Sequence, residues 1–149
     1  MQPVKKILLV DDEECDRLLF ANALNEVADS AHLITVNDGD EFLQWLKLSK
    51  TKPDLVFLDL NMPRKNGFDA LKEMRQDPSV DHIPVIVLSS CAHETTVNRC
   101  YELGANFFAQ KPTGYGRLEN IIAQALSLSD LRRPSKRKFI LYGDQLACA

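Results

Sequence analysis

The chain passes five times from a short apolar or β-branched run into a longer stretch whose apolar residues recur three and four apart. The runs, Lys6 to Val10, His32 to Val36, Leu55 to Leu58, Val85 to Leu88 and Asn106 to Ala109, are predicted to be strands. The longer stretches, about Cys15 to Val27, Asp40 to Leu48, Gly67 to Met74, Glu94 to Leu103 and Tyr115 to Leu126, are predicted to be helices. Leu103-Gly104 and Asp77-Pro78 supply helix stops, because glycine accepts the left-handed backbone and proline cannot continue a helix. Ile7-Leu8-Leu9-Val10, Leu55-Val56-Phe57-Leu58 and Val85-Ile86-Val87-Leu88 are almost wholly apolar, the pattern of parallel strands covered by helices on both faces. The expected fold is a doubly wound α/β sandwich.

Sheets of this kind bind ligands in the crevice outside the carboxyl ends of their strands. The residues in those places are polar and of few kinds. Asp11, Asp12, Glu13 and Glu14 follow the first run, Asp59 ends the third, Ser89 and Ser90 follow the fourth, and Lys111-Pro112 ends the fifth. If Asp11, Asp12 and Asp59 meet, their charges repel strongly in a partly buried place and something cationic has to compensate. A hard divalent ion with oxygen ligands, Mg²⁺ by preference, together with Lys111 balances the three carboxylates. Metal and lysine could also neutralise the oxygens of an incoming phosphoryl group in line with Asp59, which makes that carboxylate a nucleophile, with Ser89 bonding a phosphoryl oxygen. Taken singly each residue has a plainer reading: an Asp after a strand caps a helix, and a Lys before Pro is solvated. Only the set points to chemistry.

Composition narrows the partners. The 149 residues, 45% hydrophobic, suffice for one core but are few for two. A net charge of −3 gives no global field toward nucleic acid or a membrane surface, so direct DNA binding is not expected. Cys15, Cys91, Cys100 and Cys148 form no C-x-x-C pair and have no histidine at metal-finger spacing, which suggests idle thiols in a reducing cytoplasm rather than disulfides or zinc. No window approaches the ~20 apolar residues of a membrane span, so a soluble cytoplasmic protein is expected.

Ile7-Leu-Leu-Val-Asp-Asp, Asp59-Leu-Asn-Met-Pro with Gly67 four residues beyond Pro63, Pro84-Val-Ile-Val-Leu-Ser89, Gly104-Ala and Lys111-Pro together resemble the signature of response-regulator receiver domains. Ser89 lies thirty residues after Asp59 and Lys111 twenty-two after Ser89, as in the bacterial chemotaxis regulator. The resemblance spans Lys5 to about Leu126. It implies a flavodoxin-like fold with a five-stranded parallel sheet in the order 2-1-3-4-5 and five helices. It implies Asp59 as phosphoacceptor for a sensor histidine kinase. It also implies Mg²⁺, for which Mn²⁺ or Ca²⁺ can substitute, on Asp12, Asp59 and the backbone carbonyl of Asn61, with Asp11 acting through water. Ser89 takes the place of the switch hydroxyl and Phe108 that of the switch aromatic. Where many members have Tyr there, this chain has Phe, so partner contacts at that position should be apolar; the plainer reading makes Phe108 a core residue. Asn61 and Cys91 occupy the two positions that tune phosphoryl lifetime, and Cys91 departs from the polar residues often found there. Asp77-Pro-Ser-Val-Asp-His-Ile-Pro-Val-Ile-Val-Leu-Ser-Ser, with Val36-Asn-Asp-Gly, is similar to the single-domain regulators that accompany cyanobacterial phytochromes, which would make the donor a phytochrome kinase.

Residues 1–129 are thus read as the receiver domain and 130–149 as an extension. Its first part carries five positive charges between Arg132 and Lys138, and Phe139-Ile-Leu-Tyr142 is apolar. Two readings stand: a solvated basic stretch whose apolar end packs on the domain, or a dimer arm that packs across a two-fold axis beside Phe108. The main functional expectation is a phosphorylation-switched binding module, not a turnover enzyme. A scaffold that never takes a phosphoryl group is one alternative. A Mg²⁺-dependent phosphohydrolase with an Asp nucleophile is another, weakened because Asn61 stands where such an enzyme needs its acid.

Overall fold

The computed structural model describes residues 5–112, 117–128 and 134–143. Five helices, α1 (Glu14–Val27), α2 (Gly39–Leu48), α3 (Gly67–Arg75), α4 (Glu94–Glu102) and α5 (Arg117–Ser127), alternate with β1 (Lys6–Val10), β2 (His32–Val36), β3 (Leu55–Leu58), β4 (Val85–Ser89) and β5 (Phe107–Gln110). A further strand, β6 (Ile140–Leu141), follows α5, and all pairings are parallel in the order β2-β1-β3-β4-β5-β6. The expected flavodoxin-like doubly wound sheet is present with its 2-1-3-4-5 order.

Five strands were expected and, among the described residues, the sheet has six. The extra strand is the apolar end of the extension. Phe108 donates its backbone N–H to the Phe139 carbonyl at 3.0 Å, Phe108 pairs with Ile140, and Ala109 with Leu141. An unpaired edge on β5 would leave backbone donors and acceptors open, and β6 takes them up. The predicted start of the last helix at Tyr115, the 129/130 boundary, Arg132, Arg133 and Cys148 lie outside the described residues.

Side-chain alternation along the strands sorts the core into two layers. Leu8, Val10, Val56, Leu58, Val85, Val87 and Phe108 point to the face covered by α2, α3 and α4, and Phe139 joins them. Ile7, Leu9, Leu55, Phe57, Ile86, Leu88, Phe107 and Ala109 point to the face covered by α1 and α5.

Local signals fix the helix ends. Asp38 and Asn66 accept from the backbone N–H of Glu41 and Asp69 at 2.8 and 3.0 Å, capping α2 and α3. Gly104, at φ +97°, closes α4 in the left-handed conformation. β5 starts at Phe107 rather than Asn106, and the Asn106 backbone N–H donates to the Val85 carbonyl at 2.8 Å. The Asn106 Oδ1 accepts from the Val85 backbone at 2.9 Å and from Arg75 Nη2 at 2.8 Å, tying α3 to the start of β4 and β5.

Candidate functional site

The carboxyl ends of β1, β3, β4 and β5 meet at one rim. Asp11 and Asp59 leave neighbouring strands, and the Asp59 N–H donates to the Val10 carbonyl at 3.0 Å. Asp11, Asp12 and Asp59 each present a carboxylate oxygen within 4.8 Å of the others. Asp11 and Asp59 are buried and Asp12 is half-buried. Asp11 is held further by the Glu13 N–H, which donates to its Oδ1 at 3.0 Å. Behind Asp59, Gly67 opens α3 against the end of β3, and a Cβ there would lie 2.3 Å from the Asp59 carbonyl oxygen. No side chain larger than hydrogen fits unless that backbone moves.

Lys111 reaches across from the end of β5. Its Nζ lies 2.8 Å from Asp16 Oδ2, 3.0 Å from Asp11 Oδ2 and 3.4 Å from Asp59 Oδ2. Burial alone would lower the lysine pKa, but the Asp16 hydrogen bond and the charges of Asp59 and Asp11 outweigh it and the pKa is raised. The Asp59 carboxyl is pushed up to about 6, first by desolvation and then by the Asp11 charge, against the attraction of Lys111 and the Asn61 backbone N–H. One ammonium does not balance the carboxylates, and three clustered hard oxygen donors suit a divalent cation.

Ser89, fully buried at the end of β4, accepts at Oγ from the Cys91 N–H at 3.2 Å. Cys91 is half-buried and its Sγ is 3.6 Å from Thr96 Oγ1. The His93 backbone N–H, with Thr96, holds its pKa below the ordinary thiol range. Asn61 sits two residues past Asp59 and is exposed. Phe108 is a core residue: it is fully buried, with its ring centroid 6.5 Å from that of Phe139. Phe139 in turn stands edge-on to Tyr101 at 5.1 Å.

The rim therefore brings together Asp11, Asp12, Asp59 and Lys111, with Ser89 on the neighbouring strand end, while Phe108 points to the opposite layer from Ala109 and away from solvent. Sequence reasoning passed over Asp16, the nearest carboxylate to Lys111. The available signal was its position in the first turn of α1, immediately beyond the acidic run.

A parallel sheet in this order with an acidic rim and a lysine opposite it defines a class. The chain matches the response regulator receiver domain over residues 7–123 and belongs to that family. It is 35% identical over 114 residues to the response regulator Rcp1 of Synechocystis sp., covering 73% of this chain and 78% of that protein. The structure of the phosphorylated cyanobacterial phytochrome response regulator RcpA superposes with a TM-score of 0.78 at 33% identity, covering 85% of this chain and 94% of that one. The Mn²⁺-bound form of Rcp1 gives 0.73 at 31% identity over 88% and 97%. This chain is thus a receiver domain of the two-component type, related to phytochrome response regulators. Among the described residues no helix is long and apolar enough to cross a membrane.

Proposed function

We propose that this chain accepts a phosphoryl group on Asp59 from a sensor histidine kinase, a phytochrome, and in response changes its contacts with other proteins. The observation that carries this reading is the Lys111 ammonium 3.4 Å from a buried Asp59 whose carboxylate lies within 4.8 Å of those of Asp11 and Asp12. An Asp59 oxygen attacks the phosphorus of a phosphohistidine. The new P–O bond forms as the P–N bond breaks, and the imidazole nitrogen leaves with the electron pair and takes up a proton. Lys111 holds a phosphoryl oxygen, and Ser89 turns its hydroxyl from the Cys91 N–H to another. A divalent cation, Mg²⁺ with Mn²⁺ or Ca²⁺ as substitutes, would be held by Asp12, Asp59 and the Asn61 carbonyl, with Asp11 through water, and would neutralise phosphoryl charge there.

Phosphorylation takes Asp59 from −1 to about −2 and draws in Lys111, at the end of the strand that carries Phe108. Phe108, buried against Phe139, is the switch residue whose repacking would reshape the surface around it, and Asn61 and Cys91 tune phosphoryl lifetime. The reading extends to a homodimer in the cytoplasm without direct DNA contact. Residues 139–141 are already used within one chain, so the dimer would rest on the outward side of β6, where Tyr142 is exposed. Sedimentation of the full chain with and without phosphodonor tests it; a monomer in both removes the dimer.

The test of the main reading is intact mass after incubation with phosphoramidate, with and without Mg²⁺, for wild type and Asp59→Asn. A single adduct that requires both Mg²⁺ and Asp59 is expected. An adduct retained in Asp59→Asn moves the acceptor elsewhere, and no adduct in wild type leaves a scaffold.

A further inference from the structure

Lys111 is surrounded by more carboxylate than the phosphoryl chemistry needs. Its Nζ donates to Asp16 at 2.8 Å and to Asp11 at 3.0 Å and lies 3.4 Å from Asp59, so one of its hydrogen-bonded partners is a carboxylate outside the group of Asp11, Asp12 and Asp59. Asp16 belongs to α1, whereas Asp11 and Asp59 end strands, and its side chain is 32% exposed against 7% for Asp59. Asp16 and Lys111 also share the lining of a groove of about 640 Å³ between α1 and α5, with Leu19, Ala23 and Leu118. The ammonium is therefore shared between Asp16 on α1 and Asp11 at the end of β1. To meet a phosphoryl group on Asp59 it has to shift its hydrogen bonds away from α1, and any favourable contact it gives up opposes that shift.

We propose that Asp16 is a positioning residue that competes with the phosphorylated acceptor for Lys111 and so sets how readily the site takes and keeps a phosphoryl group. The inference rests on Asp59 being the acceptor. Two states of the lysine are involved. With Asp59 at −1 the ammonium divides itself among three carboxylates; with the acceptor at about −2 it turns to the phosphoryl oxygens, leaving Asp16 to water. Asp16's partial exposure makes this exchange feasible, because a carboxylate that water can reach loses its partner at low cost. An Asp buried as deeply as Asp59 would instead hold the lysine fast.

Titration with beryllofluoride, a phosphoryl mimic, in Mg²⁺ followed by fluorine NMR tests this in wild type, Asp16→Asn, Asp16→Glu and Glu14→Gln. Asp16→Asn is expected to tighten binding about three- to fivefold, the scale of a part-exposed ion pair. Asp16→Glu, which keeps the charge, should remain near wild type. Glu14→Gln removes the same charge from the same helix turn and reports the general field of the rim. An equal gain in Glu14→Gln overturns the proposal, as does unchanged or weaker binding in Asp16→Asn. Nitrogen NMR of the Lys111 side chain at one fixed pH adds a readout that a structural role would not move: its ammonium resonance should shift in Asp16→Asn and hold in Asp16→Glu, and an unmoved resonance in Asp16→Asn also overturns it. Wild type that binds no beryllofluoride at all instead refutes the acceptor reading itself.

Discussion

The acidic rim, at the carboxyl ends of β1, β3, β4 and β5, and the β5–β6 edge meet along β5 and are built in opposite ways. At the rim Asp11, Asp12 and Asp59 crowd together and Asp59 is raised to about 6, so the unmodified site stands at an energetic disadvantage. At the edge Phe139, 1% exposed, closes the layer around Phe108 and Tyr101 and completes the hydrogen bonding of β5. The edge contributes stability of the kind the rim gives up. Binding chemistry requires like charges held together before their ligand arrives, and a rigid, well-packed neighbour is what holds them.

If the edge is a stabilising device, Phe139→Ala should have the largest effect, lowering unfolding free energy by about 3 to 5 kcal/mol in urea denaturation. A loss well below that would mean β6 detaches as a unit, and would weaken the contrast.

The rim should respond in the other direction. A carboxyl whose folded pKa lies near 6 rather than the ordinary 3.8 favours its protonated form, so it imposes no penalty below about pH 4. The penalty grows as pH rises and is complete above about 7. In chelator, wild type should therefore lose stability from pH 4 to 7, and Asp59→Asn should gain on the order of 2 kcal/mol at neutral pH and almost nothing at pH 4. Thermal melts across that range check the sign; a gain that grows toward acid would refute the desolvation account. Adding Mg²⁺ should raise the wild-type melting temperature and leave Asp59→Asn little changed, if Asp59 helps bind it.

Gly67→Ala sharpens the comparison from behind Asp59. With its Cβ 2.3 Å from the Asp59 carbonyl oxygen, the substitution should cost about 1 to 3 kcal/mol and slow phosphorylation, read by calorimetry and the phosphoramidate assay. The smallest effect is expected at Asn120, whose Nδ2 donates to the Gly143 carbonyl at 2.6 Å and ties the residue after Tyr142 to α5. Asn120→Ala should lose about 1 kcal/mol and leave phosphorylation by phosphoramidate unchanged.

Much of this was legible in the residues because two local rules act on the chain. Apolar runs of strand length separated by helical spacing give an alternating parallel sheet, and such a sheet puts its chemistry at the carboxyl ends of its strands. Those rules point to Asp11, Asp12, Asp59, Ser89 and Lys111 without coordinates, since each lies at or within two residues of a strand's carboxyl end. Two features escaped them. Asp16 meets Lys111 across 95 residues of chain, and no spacing rule links a helix turn to the end of the last repeat strand. Phe139-Ile140-Leu141 carries an apolar signal too short to say what it would pair with, and its partner was fixed only when β5 became an edge with unfilled hydrogen bonds. Sequence by itself determined the elements, their alternation and the kinds of groups at the rim, because backbone preference and hydrophobic period are local. Tertiary structure alone decided which carboxylate holds the lysine, how far Asp59 is desolvated and where the extension lies, because distance, burial and edge pairing exist only once the sheet has closed.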